Sequence, residues 1–219
     1  MRSDLFVRSL TGAVLVSAIL GAIFGGLWTW SVLLMVLLVI GWQEATRALR
    51  AAFPKRSIAW ILLRSTVMVA LPIAGLFFIA MRDGGYVADL PLGWFVLLWV
   101  NDSAAYLFGR TLGRHKLAPS ISPGKTWEGW AGGALSTMGL AFWALGPAAW
   151  GGLLSWQWAV LGALVSVFGP MGDLMESALK RRAGIKDSGS LLPGHGGVLD
   201  RFDSHFISAP IAAILLQLF

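Results

Sequence analysis

Seven apolar runs separated by short polar segments constrain this chain more than any other feature. They cover 9–28, 30–44, 58–81, 92–109, 129–145, 156–182 and 204–219. At a rise of 1.5 Å per residue, the longer of these runs reach across the ~30 Å hydrocarbon core of a bilayer. Backbone polar groups in hydrocarbon must be satisfied within their own segment, so the expected fold class is all-α. The reading is a polytopic integral membrane helical bundle of about seven transmembrane helices, a single domain over 1–219. With 57% hydrophobic and only 13% charged residues, the composition is odd for a soluble domain and ordinary for a membrane bundle. The first run follows Arg2 and Arg8, meets a second run almost at once and has no clear small-residue cleavage site. It therefore reads as a span rather than as a removable signal.

Charge placement orients the bundle. Of 17 basic residues, two precede the first run. Arg47, Arg50, Lys55 and Arg56 lie between the second and third runs, and Arg110, Arg114, Lys116 and Lys125 between the fourth and fifth. Lys180, Arg181 and Arg182 end the sixth run, and Lys186 and Arg201 lie between it and the seventh. These 15 share one side; Arg82 alone falls opposite, and Arg64 lies inside the third run, close enough to its edge to snorkel. The positive-inside rule then puts the amino terminus and both long polar loops in the cytoplasm and the carboxy terminus outside. The net charge of +6 reports this topology, and no nucleic-acid partner is expected. The same topology places Trp28, Trp30, Trp94, Trp150, Trp156 and Trp158 in an outer aromatic belt. Pro72 is expected to kink the third helix, and Gly129, Gly133 and Thr137, four residues apart, to let the fifth pack closely.

Polar residues that break the apolar pattern carry the chemistry. The segment 177–203 sets Lys180, Arg181, Arg182, Lys186 and Arg201 among Asp187, Asp200 and Asp203, threaded with glycines. Cations suit phosphate and carboxylates suit a hard metal ion, so this segment reads as a metal and phosphate site. Asn101 and Asp102 interrupt the fourth run, and intramembrane ionisable groups are costly enough to be functional candidates. In the sixth run Asp173, Glu176 and Lys180 fall on one helix face. The loop 110–128 contains Ser122-Pro123-Gly124-Lys125-Thr126-Trp127-Glu128. Its Gly-Lys-Thr is not a Walker loop, because Pro119 stands where the first glycine is needed and a membrane helix replaces the preceding strand. A turn with Gly124, Lys125 and the hydroxyls of Ser122 and Thr126 still offers donors for part of a triphosphate. Cysteine is absent, and His115, His195 and His205 are too scattered to suggest zinc, so any metal site is built from oxygen. The residues themselves support metal-dependent phosphoryl or nucleotidyl transfer at a membrane surface. A transporter would also explain the intramembrane carboxylates, but not two basic glycine-rich loops on one face.

The positions Ser177, Lys180-Arg181, Lys186-Asp187, Gly189, Pro193, His195-Gly196-Gly197 and Asp200-Arg201-x-Asp203 resemble the signature of the phosphatidate cytidylyltransferases, also called CDP-diacylglycerol synthases. Asn101-Asp102-Ser103-x-Ala105-Tyr106 and Ser122-Pro123-Gly124-Lys125-Thr126-Trp127-Glu128-Gly129 are similar to two further elements of that family. The resemblance runs from Asn101 to Ser204 and touches Trp42-Gln43-Glu44 weakly. It implies transfer of the cytidylyl group of CTP to phosphatidate at the cytoplasmic face of a bacterial inner membrane, with membrane lipid and a homodimer as partners. It also implies amino-terminal helices over 1–91 and a catalytic half over 92–219.

Residue by residue, the resemblance implies a metal centre of Asp173, Asp200 and Asp203 holding one or two Mg²⁺ ions, with a monovalent cation as a further candidate. Lys186, Asp187 and His195 join them as catalytic candidates. Asp102, Ser122, Gly124, Lys125, Thr126, Lys180, Arg181 and Arg201 are the nucleotide and phosphate candidates. For His195 two roles stand open, a proton or hydrogen bond to a leaving oxygen and a structural one in the glycine-rich turn. A cytidylyltransferase acting on another lipid phosphate fits the same residues, whereas the motif of the CDP-alcohol phosphotransferases is absent. The chain departs from the family in an amino-terminal half short by a helix or two, and in Ser103-Ala104 where Thr-Gly is frequent. The expected site is a polar cavity open to cytoplasm and sideways to lipid, with Asp102, Asp173, Asp200 and Asp203 on its walls.

Overall fold

The computed structural model describes residues 2–189 and 196–219. Along them run α1 (Arg2–Phe24), α2 (Leu27–Ala52), α3 (Ile58–Ile79), a small hairpin of β1 (Met81–Arg82) and β2 (Gly85–Tyr86), and α4 (Asp89–Thr111). A second hairpin, β3 (Lys116–Ala118) and β4 (Ser122–Thr126), leads into α5 (Trp127–Leu140), and α6 (Ser155–Ala183), α7 (Leu199–Phe202) and α8 (His205–Leu216) complete the chain. The architecture is nearly all-α. Three helices, α2, α3 and α6, are long and apolar enough to cross a membrane, while 9–24 of α1 and all of α8 form shorter apolar helices. Asn101 and Asp102 lie within α4, and α5 has 14 residues; neither helix meets that standard.

Local chemistry sets the ends that matter for the site. Ser57 caps α3, its Oγ accepting from the Trp60 amide at 3.3 Å, and Thr126 caps α5, its Oγ1 accepting from the Gly129 amide at 3.1 Å. The helix α6 ends at Gly184, whose φ of 69° suits a residue without Cβ, and Lys180, Arg181 and Arg182 crowd its last turn, where cations favour the carbonyl end of the dipole. Pro72 lies inside α3, which runs as one helix from Ile58 to Ile79. The expected close packing of α5 is present: a Cβ on Gly129 would lie 2.7 Å from Ala105 O, and one on Gly133 3.0 Å from Asn101 O. The backbones of α4 and α5 thus touch. Between their polar ends the segment expected as an open loop is a hairpin, pairing Lys116 with Thr126 and Ala118 with Ser122.

The aromatic belt needs correction. Trp30, Trp94 and Trp158 are no more than 1% exposed and sit in the core, where they fill space between helices instead of facing headgroups. Trp158 presses on Gly93, where a Cβ would come within 2.3 Å of the indole, and its N–H donates to Trp150 O at 3.0 Å. Of the six, Trp28 and Trp156 are exposed.

Candidate active site

A cavity of about 410 Å³ opens where α4, the β3–β4 hairpin, α5 and α6 meet. Asn101, Asp102 and Tyr106 enter it from α4, Ser122, Gly124, Lys125 and Thr126 from β4, Asp173 from α6, and Ser204 from the start of α8. The hairpin reaches the helices because Gly109 leaves room for Thr126, whose Oγ1 would lie 3.1 Å from a Cβ there. Lys125 then extends to α6, with Nζ 2.5 Å from Asp173 Oδ2 and 3.4 Å from Pro170 O. Asp173 Oδ1 accepts from Ser177 Oγ at 3.1 Å. Gly172 lets the chain after α7 approach α6, since a Cβ at this position would strike the carbonyl of Asp203. Burial, and after it the charge of Asp173, push the Asp203 carboxyl up to about 7, with Asp102 adding to the rise and Lys125 opposing it. Three carboxylates therefore share one neighbourhood with a single lysine.

A second polar cluster lies further along α6. Lys180 Nζ is 2.6 Å from Glu176 Oε2 and 2.7 Å from Asp200 Oδ1. Asp200 Oδ2 accepts from the Ser188 amide at 2.9 Å, the Ser188 hydroxyl at 2.9 Å and the Gly197 amide at 2.7 Å. Burial pushes the Asp200 carboxyl up, but Lys180 and these N–H groups together bring it down to about 2. Behind it, Glu44 of α2 is buried and accepts from the Leu199 amide at 2.9 Å, with Ser188 Oγ at 3.3 Å. Gly189 and Gly197 pack on the Glu44 carboxylate so closely that a Cβ at either would collide with it. This cluster ties α2, α6, the segment after α6 and α7 together.

The structure therefore divides the expected residues. Asp102, Ser122, Gly124, Lys125, Thr126 and Asp173 gather on the cavity, and Asp203 adjoins it through Ser204. Asp200 and Lys180 are engaged with each other in the second cluster, and Asp200 is not among the cavity's lining residues. Arg181 is exposed and reaches the hairpin, Nε donating to Ile121 O at 3.4 Å. Lys186, Asp187 and Arg201 are exposed, Arg201 on α7, while His195 lies outside the described residues. Among the described residues, no three His, Asp or Glu side chains gather closely enough to hold a metal ion as they stand. Asp102, Asp173 and Asp203 are near enough for the first two to raise the carboxyl of the third, and carboxylate oxygens are the donors a hard divalent cation takes.

Two residues escaped the sequence reading. Glu44 marked the end of an apolar run, but α2 continues to Ala52 and leaves this carboxylate buried inside a helix. Its signal was a lone acid among apolar and small residues. Glu128 was read as part of a loop motif; it accepts from the Arg114 and His115 amides and from His115 Nδ1 at 2.6 Å, closing the base of the hairpin. The bond to His115, with help from backbone N–H groups, lowers its carboxyl to about 2.

The fold and the cavity define an integral membrane protein with a carboxylate and lysine site at one end of a helical bundle. Comparison supplies the family. The cytidylyltransferase family matches residues 77–219, and the chain belongs to it. It is 43% identical over 144 residues to a curated phosphatidate cytidylyltransferase of Staphylococcus haemolyticus, covering 66% of this chain and 54% of that protein. It is 46% identical over 127 residues to one of Staphylococcus aureus, covering 56% of this chain and 46% of that protein. The chain spans about half the length of the curated relatives it matches.

Proposed function

We propose that this chain transfers the cytidylyl group of CTP to phosphatidate, giving CDP-diacylglycerol and pyrophosphate. The observation that carries the reading is the meeting of Lys125 from the hairpin with Asp173 from α6, 2.5 Å apart, on the wall of a cavity also lined by Ser122, Thr126 and Asp102. Family membership and the curated names of the relatives support the substrates.

In this reading Lys125 leaves Asp173 to contact the triphosphate, while Ser122, Thr126 and the open backbone at Gly124 donate to its oxygens. A phosphate monoester oxygen of the lipid, already anionic near neutral pH, attacks the α-phosphorus of CTP. The bond from that phosphorus to the bridging oxygen breaks, and pyrophosphate leaves with the electron pair. The chain's task is positioning and charge, because no proton has to be removed from the nucleophile. Asp173 and Asp203, with Asp102 beside them, are the residues that would hold Mg²⁺, which when bound supplies charge neutralisation for the triphosphate. Asp200 would hold the adjoining backbone through its partnership with Lys180.

The same reading takes seven spans, an amino terminus inside, a carboxy terminus outside and the cavity on the cytoplasmic face of the inner membrane. It is supported by the one-sided distribution of basic residues and by the exposed apolar faces of α2 and α3. A homodimer remains part of the proposal through the family resemblance alone.

The test is pyrophosphate release from CTP by the purified chain in detergent. Release with phosphatidate and not without it is the expected result. Release only with a different lipid phosphate would move the substrate, and none with any lipid phosphate would overturn the reading. Because the chain has no cysteine, single cysteines at 119 and 186 can be labelled from either side of sealed vesicles. Opposite sidedness for the two would break the single-site arrangement.

A further inference from the structure

A second cavity, of about 610 Å³, lies on the other side of α6 from the candidate active site. Met175 and Leu179 face it from α6, Val67 and Leu71 from α3, and Pro210 and Ile211 from α8. At about 100° per residue, Met175 and Leu179 point roughly 200° and 240° around the helix from Asp173. The two cavities are therefore back to back across α6. From Trp60 to Leu71 the groove follows α3 for roughly 16 Å at the helical rise.

One end of this apolar groove is strongly cationic. Phe53 and Trp60 line it, their ring centres 5.2 Å apart. The guanidinium groups of Arg56 and Arg64 each lie 5.4 Å from the Trp60 ring centre, and that of Arg182 lies 4.1 Å from the Phe53 ring centre. Stacking on these two neighbouring aromatic rings offsets part of the cost of placing three cations at one end of the groove. Among the described residues none of the three pairs with a carboxylate, and the groove's only charged lining residue is Arg64. A long apolar slot ending in three uncompensated guanidiniums, in a chain that spans a bilayer, matches an acyl chain attached to an anionic headgroup.

We propose that the groove between α3, α6 and α8 binds an intact anionic phospholipid, its phosphate on Arg56, Arg64 and Arg182 and one acyl chain along Val67, Leu71 and Pro210. This site is separate from the cavity where chemistry is proposed, and it does not depend on the identity of the reaction. Its occupant ties the α2–α3 turn to the end of α6, since Arg182 also donates from Nε to Ala52 O at 3.1 Å.

The experiment uses the purified chain in detergent with a phosphatidylglycerol that carries a photoactivatable group in its acyl chain, followed by peptide identification. Labelling should fall on 67–71 and 206–211 and be displaced by unlabelled phosphatidylglycerol but not by phosphatidylcholine. The Arg56→Ala/Arg64→Ala double variant should bind roughly thirty-fold more weakly, as expected for two basic side chains lost beside an anionic headgroup. Val67→Trp, which fills the slot and leaves the cations, should abolish labelling of the groove. Both variants should elute as the wild type does and keep its melting temperature; if the double variant misfolds, Val67→Trp still decides. Equal displacement by phosphatidylcholine, labelling undiminished by Val67→Trp, or an unlabelled groove in a chain that elutes as a dimer would overturn the proposal. The last outcome would assign the face to a second copy.

Discussion

Two polar clusters on the same helix differ in how far the protein itself satisfies them. Around Lys180, Glu176 and Asp200 share the ammonium, and Asp200 also takes two amides and a hydroxyl, while the buried Glu176 has no partner beyond Lys180 among the described residues. Around Asp173, roughly two turns earlier, Asp102 and Asp173 line a cavity with Asp203 adjoining it, and Lys125 is the one cation paired with any of the three among the described residues. A buried charge whose partners are all internal stabilises one backbone arrangement; a group of like charges left open stores unfavourable energy that a cation or substrate can relieve. The residue types are alike in the two places. Saturation is what distinguishes a latch from a site.

The sharpest way to break this contrast is Asp173→Asn. The amide keeps the shape and loses the charge, so CTP-dependent pyrophosphate release should fall at least about 100-fold with the melting temperature unchanged or raised. Wild-type turnover would remove Asp173 from the reactive set. Lys180→Met should act in the opposite sense, through stability. Leaving Glu176 and Asp200 without their shared cation should cost about 3 kcal/mol in a denaturant titration, and activity should follow the folded fraction. A large activity loss at full stability would instead place Lys180 in contact with substrate.

Glu44→Gln is a milder probe of the latch. It keeps an acceptor for the Leu199 amide but gives up the charge, for an expected loss of about 1 kcal/mol. If Glu44 mattered only to α2, hydrogen exchange at Ser188 and Leu199 would be unaffected; faster exchange there is the expected result. The smallest effect concerns pH. The Asp200 carboxyl is held at about 2, below its ordinary 3.8, so its contribution is fully present above 3.8 and is lost as pH falls toward 2. The melting temperature should drop across that window in the wild type, and Asp200→Asn should flatten this part of the profile.

Much of the candidate site was legible because its chemistry is local. Ser122 to Glu128 is a continuous donor-rich segment, and Asp173 lies on a helix whose apolar period is plain, so their types and spacing could be read directly. Glu44 was not legible in the same way. Its partners Ser188 and Leu199 are 144 and 155 residues away, and nothing in the local pattern tells a buried acceptor from a helix-ending acid. The tryptophans failed for a related reason. Position along a span sets membrane depth, but Trp30 and Trp158 face neighbouring helices rather than lipid, and that direction depends on packing.

What the sequence by itself determined was helical, membrane-embedded architecture and a cysteine-free inventory of carboxylates, cations and hydroxyls, because hydrophobic run length, charge placement and residue type act without knowledge of neighbours. Only the tertiary structure decided that Asp173 stays open to a cavity while Asp200, carried on the same signature, is closed onto Lys180. The reason is physical. A carboxylate's role depends on which donors lie within about 3 Å of it, and in this chain those donors come from segments that only the packing of α2, α6 and α7 brings together.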